Sequence, residues 1–378
     1  MFTQKTKMSI TKKLDRIAIF HNLPGGGGIR MLNNIILECK KYKEIDMYVI
    51  GESDPVNIPG VQIKYQKVRP WSGFLFRNLW IIFVLPHIHQ KLAKEINKNY
   101  KFILLTHDYF TKSPYLLRYI KINNAYICNE PQREFYENRK IHAPEIRNQL
   151  TNVLRYPIKI IDEINVRYAK TIICNSKYTK KVFKKIYKRK SDLIYPGVNC
   201  KYFITNKSKR EKMILCVGGI NPVKDQLFLV ESLKPILHQY KLILVGNGKK
   251  SYIKKIIIAG GKDSQIKIIN HVSEDRLRYL YQKSMVTCIS AHLEPFGLSS
   301  IESQACGTPV VSVREGGPME SIVVGKTGYL AQRDHRDFLN KVLLTIKHGK
   351  KMRKYSRSNA VNNWSWGITL KNVSKYLE

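Results

Sequence analysis

The chain has 378 residues, 43% of them hydrophobic and 10% aromatic, which is enough for two domains of ordinary size with cores of their own. Sixty-six Lys and Arg against 28 Asp and Glu leave a net charge of +38, a surface that draws nucleic acid, anionic lipid or phosphorylated ligands. The lysines are scattered and no nucleic-acid motif with interleaved aromatics occurs, so nucleic acid is set aside and an anionic membrane surface is kept as a partner.

The seven cysteines are odd in number and lack C-x-x-C spacing, and several lie in apolar, strand-like runs. They read as small core residues in a reducing compartment rather than disulfides or zinc ligands. Residues 1–13 are polar and basic without an apolar signal core, and no apolar segment reaches the roughly 20 residues of a membrane span. The expected location is cytoplasmic, with peripheral attachment at the inner face of the membrane.

Arg16–Phe20 forms a short apolar strand, and HNLPGGGGIR follows it. Gly25, Gly26, Gly27 and Gly28 lead into a helix whose Met31, Leu32, Ile35, Ile36 and Cys39 recur with helical spacing. Strand, glycine loop and helix make the first unit of a doubly wound α/β fold, although the glycines match neither G-x-G-x-x-G nor a P-loop. The most apolar stretch, Trp71–His89, reads as a buried helix, with a helix lying in the membrane interface as the alternative. His87 and His89 within it read as surface residues. Phe102–Leu105 is a further strand, which brings His107 to its C-terminal tip, where such folds open their crevice. Arg133, in NEPQREFYE, is a candidate phosphate contact.

A polar stretch around ITNKSKREK marks the domain boundary, so the expected domains are 1–205 and 206–350, with a helical segment 351–378. The second domain opens on ILCVGGINPVKDQ: a strand, a turn at Gly218-Gly219, and a helix begun by Lys224-Asp225. A lysine there reaches a diphosphate beside the helix start. Strands at Leu242–Val245 and Ile266–Ile269, and a helix capped by Ser273, continue the strand–helix alternation. Gly325-Lys-Thr327 looks like a P-loop ending but has Glu320 where the first glycine belongs.

The stretch His292–Glu320, HLEPFGLSSIESQACGTPVVSVREGGPME, holds the strongest site signal. Phe296-Gly297-Leu298 falls where the strand Val286–Ile289 gives way to a helix over Leu298–Ala305, so unpaired N–H groups face the crevice there. Gly297 permits close approach of a ligand to the backbone. Glu294 before the turn and Glu302 one helical turn beyond it suit hydroxyl groups. Phosphate donors between two hydroxyl-binding carboxylates fit a sugar nucleotide.

The string E-x7-E around FG, followed by ACGTPVV and GGPME, resembles the donor-binding half of retaining glycosyltransferase family 4, and weaker likeness extends over most of the chain. The resemblance implies a GT-B fold, two Rossmann-like domains facing across a cleft, and transfer of a sugar with retention from a nucleotide donor to a glycan or lipid-linked acceptor. It implies catalytic roles for Glu294, Lys224 and His107. Donor contacts would come from Glu302, Phe296, Gly297, Leu298, Gly218, Gly219 and the turn at Val272. Gly27, Gly28 and Arg133 would lie on the acceptor side. The segment YICNEPQREFYE resembles a C-H-x-P-P-R-x-x-Y signature of mannosyl-transferring members, with Asn129 and Gln132 departing from it, hence a hint of mannose. Where Gly219 stands, family members mostly carry arginine. No D-x-D occurs, so neither metal nor cofactor is expected. Alternatives are a nucleotide-sugar epimerase or phosphorylase of the same fold, a non-catalytic sugar-nucleotide or membrane-binding protein, and a dinucleotide oxidoreductase, the last lacking an acidic ribose partner.

Overall fold

The computed structural model describes residues 16–23, 27–40, 43–51, 58, 60–138, 141, 153–206 and 208–376. Gly25 and Gly26 of the glycine loop, residues 1–13 and Lys207 of the expected boundary lie outside the described residues.

The first half runs β1 (Arg16–Asn22), α1 (Gly27–Cys39), β2 (Glu44–Gly51), β3 (Gln62–Lys67), α2 (Phe74–Phe83), α3 (Leu85–Asn99), β4 (Phe102–Asp108), α4 (Leu116–Tyr119) and β5 (Asn123–Cys128). It continues with α5 (Arg133–Tyr136), α6 (Tyr156–Arg167), β6 (Thr171–Cys174), α7 (Lys177–Tyr187) and β7 (Asp192–Leu193). The seven strands form one parallel sheet in the order β3-β2-β1-β4-β5-β6-β7. Side chains alternate across it, as a period of two requires. Ala18 and Phe20 enter the core on one face, Ile17 and Ile19 the core on the other. Burial on both faces explains why these strands read as continuous apolar runs.

The second half repeats the plan: β8 (Met213–Val217), α8 (Gln226–Leu233), β9 (Lys241–Val245), α9 (Lys250–Gly260), β10 (Ile266–Ile269), α10 (Glu274–Lys283), β11 (Val286–Ile289), α11 (Leu298–Ala305), β12 (Val310–Val313), α12 (Pro318–Ser321) and β13 (Gly328–Ala331). Its parallel sheet has the order β10-β9-β8-β11-β12-β13, again with a core on each face. Ser273 caps α10 by accepting from the Arg276 N–H at 3.2 Å. The long α13 (His335–Asn363) runs without a break through 350–351, where a boundary was expected. The crossing comes after it: the Val198 N–H donates to the Trp364 carbonyl at 2.7 Å, and α14 (Trp366–Ser374) buries Val373 in the first domain's core.

Two expectations for the apolar stretch are corrected. Trp71–His89 is not one buried helix, because Pro86 opens α3 and separates it from α2 at Val84. α2 buries only the face of Asn78, Trp80 and Ile81, while Leu75, Phe76 and Phe83 are 56–61% exposed. A helix apolar all round has too little core to cover it here. His87 is exposed as expected, but His89 is fully buried. Its Nδ1 accepts from the Leu116 N–H at 2.9 Å, and burial holds its pKa far below the ordinary imidazole value.

Candidate active site

Both sheets present the C-terminal ends of their strands to one cleft, the position where open α/β sheets take ligands. A cavity of about 490 Å³ lies between them. β11 delivers its C-terminal wall. After Ile289 the chain turns through Leu293, whose φ of 45° is a left-handed conformation rare for a side chain of that size, and Glu294 follows. Gly297, at φ 85°, begins α11 without a side-chain cap, leaving the first helical N–H groups turned toward the cavity. Behind this turn Gly316 and Gly317 pass so close that a Cβ on Gly317 would stand 2.3 Å from the Pro295 carbonyl.

A charge network fixes the turn from beneath. Arg333 donates to both oxygens of Glu315 at 2.8 and 3.0 Å and to Asp225 at 2.9 Å. The Leu293 N–H donates to Glu315 at 3.3 Å. Asp225 is itself left-handed, with φ 49°, and caps α8 through the Phe228 N–H. Strained backbone thus flanks both charged residues of this wall, as at sites whose geometry is held by their surroundings.

Lys224 therefore does not begin α8, as expected, but precedes its cap residue, held in a turn by Asn221. Its Nζ pairs with Glu294 across the cavity, and both side chains are largely covered. Glu302 is 4% exposed, not on a solvated face. Burial pushes its pKa up, while Arg30 and the Tyr281 hydroxyl, 3.0 Å from Oε2, act the other way.

The N-terminal wall is assembled from separate elements. His107, at the end of β4, lines the cavity with Lys112, Asn129 and Asn175. Its Nε2 accepts from the Asn129 N–H at 3.1 Å, and burial lowers its pKa to about 3. The side chain is a neutral wall whose Nε2 lone pair is already engaged. The carboxamide oxygens of Asn129 and Asn175 are buried without a hydrogen-bond partner among the described residues. Such atoms call for donors from a ligand.

Of the residues expected at the site, Glu294, Lys224, His107, Glu302, Phe296, Gly297, Leu298, Gly218, Gly219 and Gly28 line this cavity. Gly27 opens α1, and Val272 lies in the turn between β10 and α10, partly buried in the core. Arg133 is not among the lining residues: its guanidinium binds Glu137 and donates to the His292 carbonyl at 2.7 Å, bridging the two domains. Sequence reasoning missed Arg30, Arg333 and Glu315. Arg333 carries no local motif, since its partners lie 18 to 108 residues away.

The family described as Glycosyl transferases group 1 matches residues 201–362. The chain is 27% identical over 325 residues to an uncharacterized glycosyltransferase of Methanocaldococcus jannaschii, covering 78% of this chain and 80% of that protein. Other curated relatives are matched over 58–61% of their own length. Among solved structures, a sucrose-phosphate synthase from Thermosynechococcus elongatus superposes with a TM-score of 0.77 at 18% identity, covering 96% of this chain and 98% of that one. Anabaena HepE in complex with UDP and glucose gives 0.74 at 17% identity, with the same coverage. At such identities the structures establish the GT-B fold, and residues 201–362 are similar to the group 1 glycosyl transferases.

Proposed function

We propose that the chain transfers a hexosyl group, with retention, from a nucleoside diphosphate sugar to a glycan acceptor anchored in a membrane. One observation carries the donor assignment: the α11 N-terminus, Lys224, Glu294 and Glu302 all face a single cavity between two Rossmann-like domains. Phosphates suit the amides and Lys224, and hydroxyls suit the carboxylates. HepE, a protein of the same fold, was solved with UDP and glucose.

In this mechanism the anomeric carbon–oxygen bond stretches, leaving positive charge on the sugar and negative charge on the departing diphosphate. Lys224 and the amides at Gly297 and Leu298 stabilise the latter, while Glu294 holds sugar hydroxyls. The acceptor oxygen attacks from the face the diphosphate leaves, and its proton passes to the departing phosphate oxygen. No protein nucleophile is assigned, and no metal is required by these steps. His107 shapes the acceptor side without moving a proton. Asn129 and Asn175 offer their oxygens to acceptor hydroxyls.

The membrane assignment is supported by an apolar face beside the cleft. Leu75, Phe76 and Phe83 of α2 are exposed, as are Trp71 and Tyr109, the latter two residues beyond His107. α6 lies against α2 and adds exposed Tyr156, preceded by exposed Val153 and Leu154. Arg77 stacks over Tyr109 with Cζ 6.0 Å from the ring, and Lys159 lies over Tyr156. Aromatic side chains rimmed by cations suit an anionic lipid interface. Among the described residues no helix is long and apolar enough to cross a membrane.

The donor is tested by a thermal-shift panel of UDP-, GDP- and ADP-sugars, since a bound ligand raises the melting temperature. The anomeric configuration of the product, read by NMR, tests retention, and an inverted product overturns it. Co-sedimentation should show binding to anionic vesicles that falls steeply with salt. Equal partitioning to neutral and anionic vesicles counts against the membrane-borne acceptor.

A further inference from the structure

Three cationic side chains line the cavity, Arg30, Lys112 and Lys224, and each faces a carboxylate that lines it too. Lys112 binds Glu130 at 2.8 Å, Lys224 binds Glu294, and Arg30 binds Glu302. In a chain of net charge +38, the described lining of this cavity is charge-balanced. The Lys112–Glu130 pair belongs to the first domain alone. The Lys224–Glu294 pair belongs to the second. Only Arg30–Glu302 is shared: Arg30 stands in the first turns of α1, and Glu302 is one turn inside α11 on the opposite wall.

The arginine is not saturated by that contact. Nη2 meets Glu302 and Nε lies 3.9 Å from Glu274, while Nη1 has no partner among the described residues and the side chain is 39% exposed. The phosphate-directed amides at Gly297 and Leu298 lie four to five residues before Glu302, about 6–8 Å along the helix axis. Arg30 and these amides line the same cavity, so rotation of the arginine stem is the movement the exchange requires. Meanwhile the turn at Gly218-Gly219 brings no cationic side chain, so among the described lining residues of the second domain Lys224 is the only cation for a diphosphate.

We propose that Arg30 is a donor-binding residue which leaves Glu302 for the diphosphate when the nucleotide's ribose hydroxyls take Glu302. This rests on the reading of the cleft as a nucleoside diphosphate sugar site. A sugar nucleotide is the kind of ligand that can satisfy both halves of the pair together. A nucleoside alone occupies the carboxylate and leaves the half-exposed cation without its partner. Because Arg30 comes from the first domain, the exchange also ties donor binding to contact between the domains.

Titration calorimetry with UDP, GDP and ADP on the full chain, and thermal shift with millimolar uridine, guanosine and adenosine, tests this. Arg30→Ala should weaken the diphosphate that binds by roughly 10–100-fold, the size of a charge-assisted hydrogen bond. Its response to the matching nucleoside should stay within about threefold of wild type, and Arg30→Lys should recover part of the loss. Equal losses for nucleoside and nucleoside diphosphate would make Arg30 a staple for Glu302 and overturn the proposal, as would an unchanged diphosphate affinity. If the alanine variant does not fold, Arg30→Gln carries the same comparison. A wild-type protein that binds none of the three diphosphates overturns the donor reading and this inference with it, whereas the loss patterns above leave the donor reading standing.

Discussion

On the C-terminal wall of the cleft, Glu294, Phe296, Gly297, Leu298 and Glu302 all come from residues 294–302, and Lys224 faces them from the turn before α8. On the N-terminal wall, Arg30, His107 and Asn129 come from α1, the end of β4 and the loop after β5. The first wall is scaffolded by backbone: a glycine-started helix, a left-handed Leu293 and two glycines packed against the turn from behind. The second depends on burial, with a histidine kept neutral and two carboxamide oxygens without partners among the described residues. Local backbone geometry suits a ligand part that never varies, such as a diphosphate. Side chains gathered from distant elements suit a part that differs between related enzymes.

The largest expected effect lies on the backbone-scaffolded wall. Lys224→Ala should fold normally and lose a factor of about 10²–10³ in kcat, because in the proposed mechanism the contact strengthens as the leaving diphosphate gains charge. Steady-state kinetics at saturating donor measures this. Near-wild-type turnover would move the diphosphate away from Lys224 and leave Arg30 as the cation to examine.

Gly317→Ala should sharpen the contrast without touching a charge. The added Cβ would stand 2.4 Å from the Phe296 Cα, which is backbone and cannot swing aside. Overpacking of this kind costs about 1–3 kcal/mol, and displacement of Glu294 and Phe296 should abolish most turnover. Denaturant melts and activity assays on one preparation give both numbers. A stable, active Gly317→Ala protein would show that the turn tolerates more movement than its packing implies.

His107→Ala should behave differently. It leaves the Asn129 N–H without its acceptor, at a cost of about 1–3 kcal/mol in stability. Donor affinity should be unchanged, and turnover should fall by no more than about tenfold, since the imidazole transfers no proton. A loss approaching that of Lys224→Ala, with a new pH dependence, would make it a proton carrier and break the comparison.

The smallest effect concerns the buried acids of the first domain. Asp162 is fully buried, and burial raises its pKa from 3.8 to about 6 in spite of hydrogen bonds from Ser113 and Tyr187. A raised carboxyl contributes stability below its unfolded value and loses it as pH rises through the folded one. Asp162→Asn should therefore lose, relative to wild type, about 1.4 kcal/mol per pH unit on acidification from about pH 6 toward pH 4. His21, His89 and His107, whose pKa values are lowered by burial, act in the opposite sense in both proteins and drop out of the difference. Urea titrations at pH 7, 6 and 5 would show the two stability curves diverging, and parallel curves would mean that Asp162 is ionised in the native protein throughout.

How much of this was legible follows the same division. The strands Val286–Ile289 and Ile266–Ile269 and the helix Leu298–Ala305 could be bounded to the residue, because apolar runs in parallel sheets end sharply at glycine and polar turns. Glu294, Gly297 and Glu302 could be picked out because a strand–turn–helix places them by local rules alone. His89 was misplaced because one-dimensional pattern does not show that its Nδ1 would meet the Leu116 N–H across 27 residues. Arg133 was misread for a related reason: its partners Glu137 and His292 are fixed by how the domains meet. The exposed face of α2 entered only as the alternative of an interfacial helix, because hydrophobicity states what a helix prefers to bury, not whether the core has room for it. The sequence by itself thus determined the two α/β sheets and the donor-side turn, where covalent neighbours and hydrogen-bond geometry suffice. Only the tertiary structure decided that Lys224 would face Glu294, that Arg30 would cross to Glu302 and that Arg333 would brace the turn from beneath. Each of those contacts joins side chains 70 to 272 residues apart, and through-space electrostatics in a covered site leaves no periodic trace along the chain.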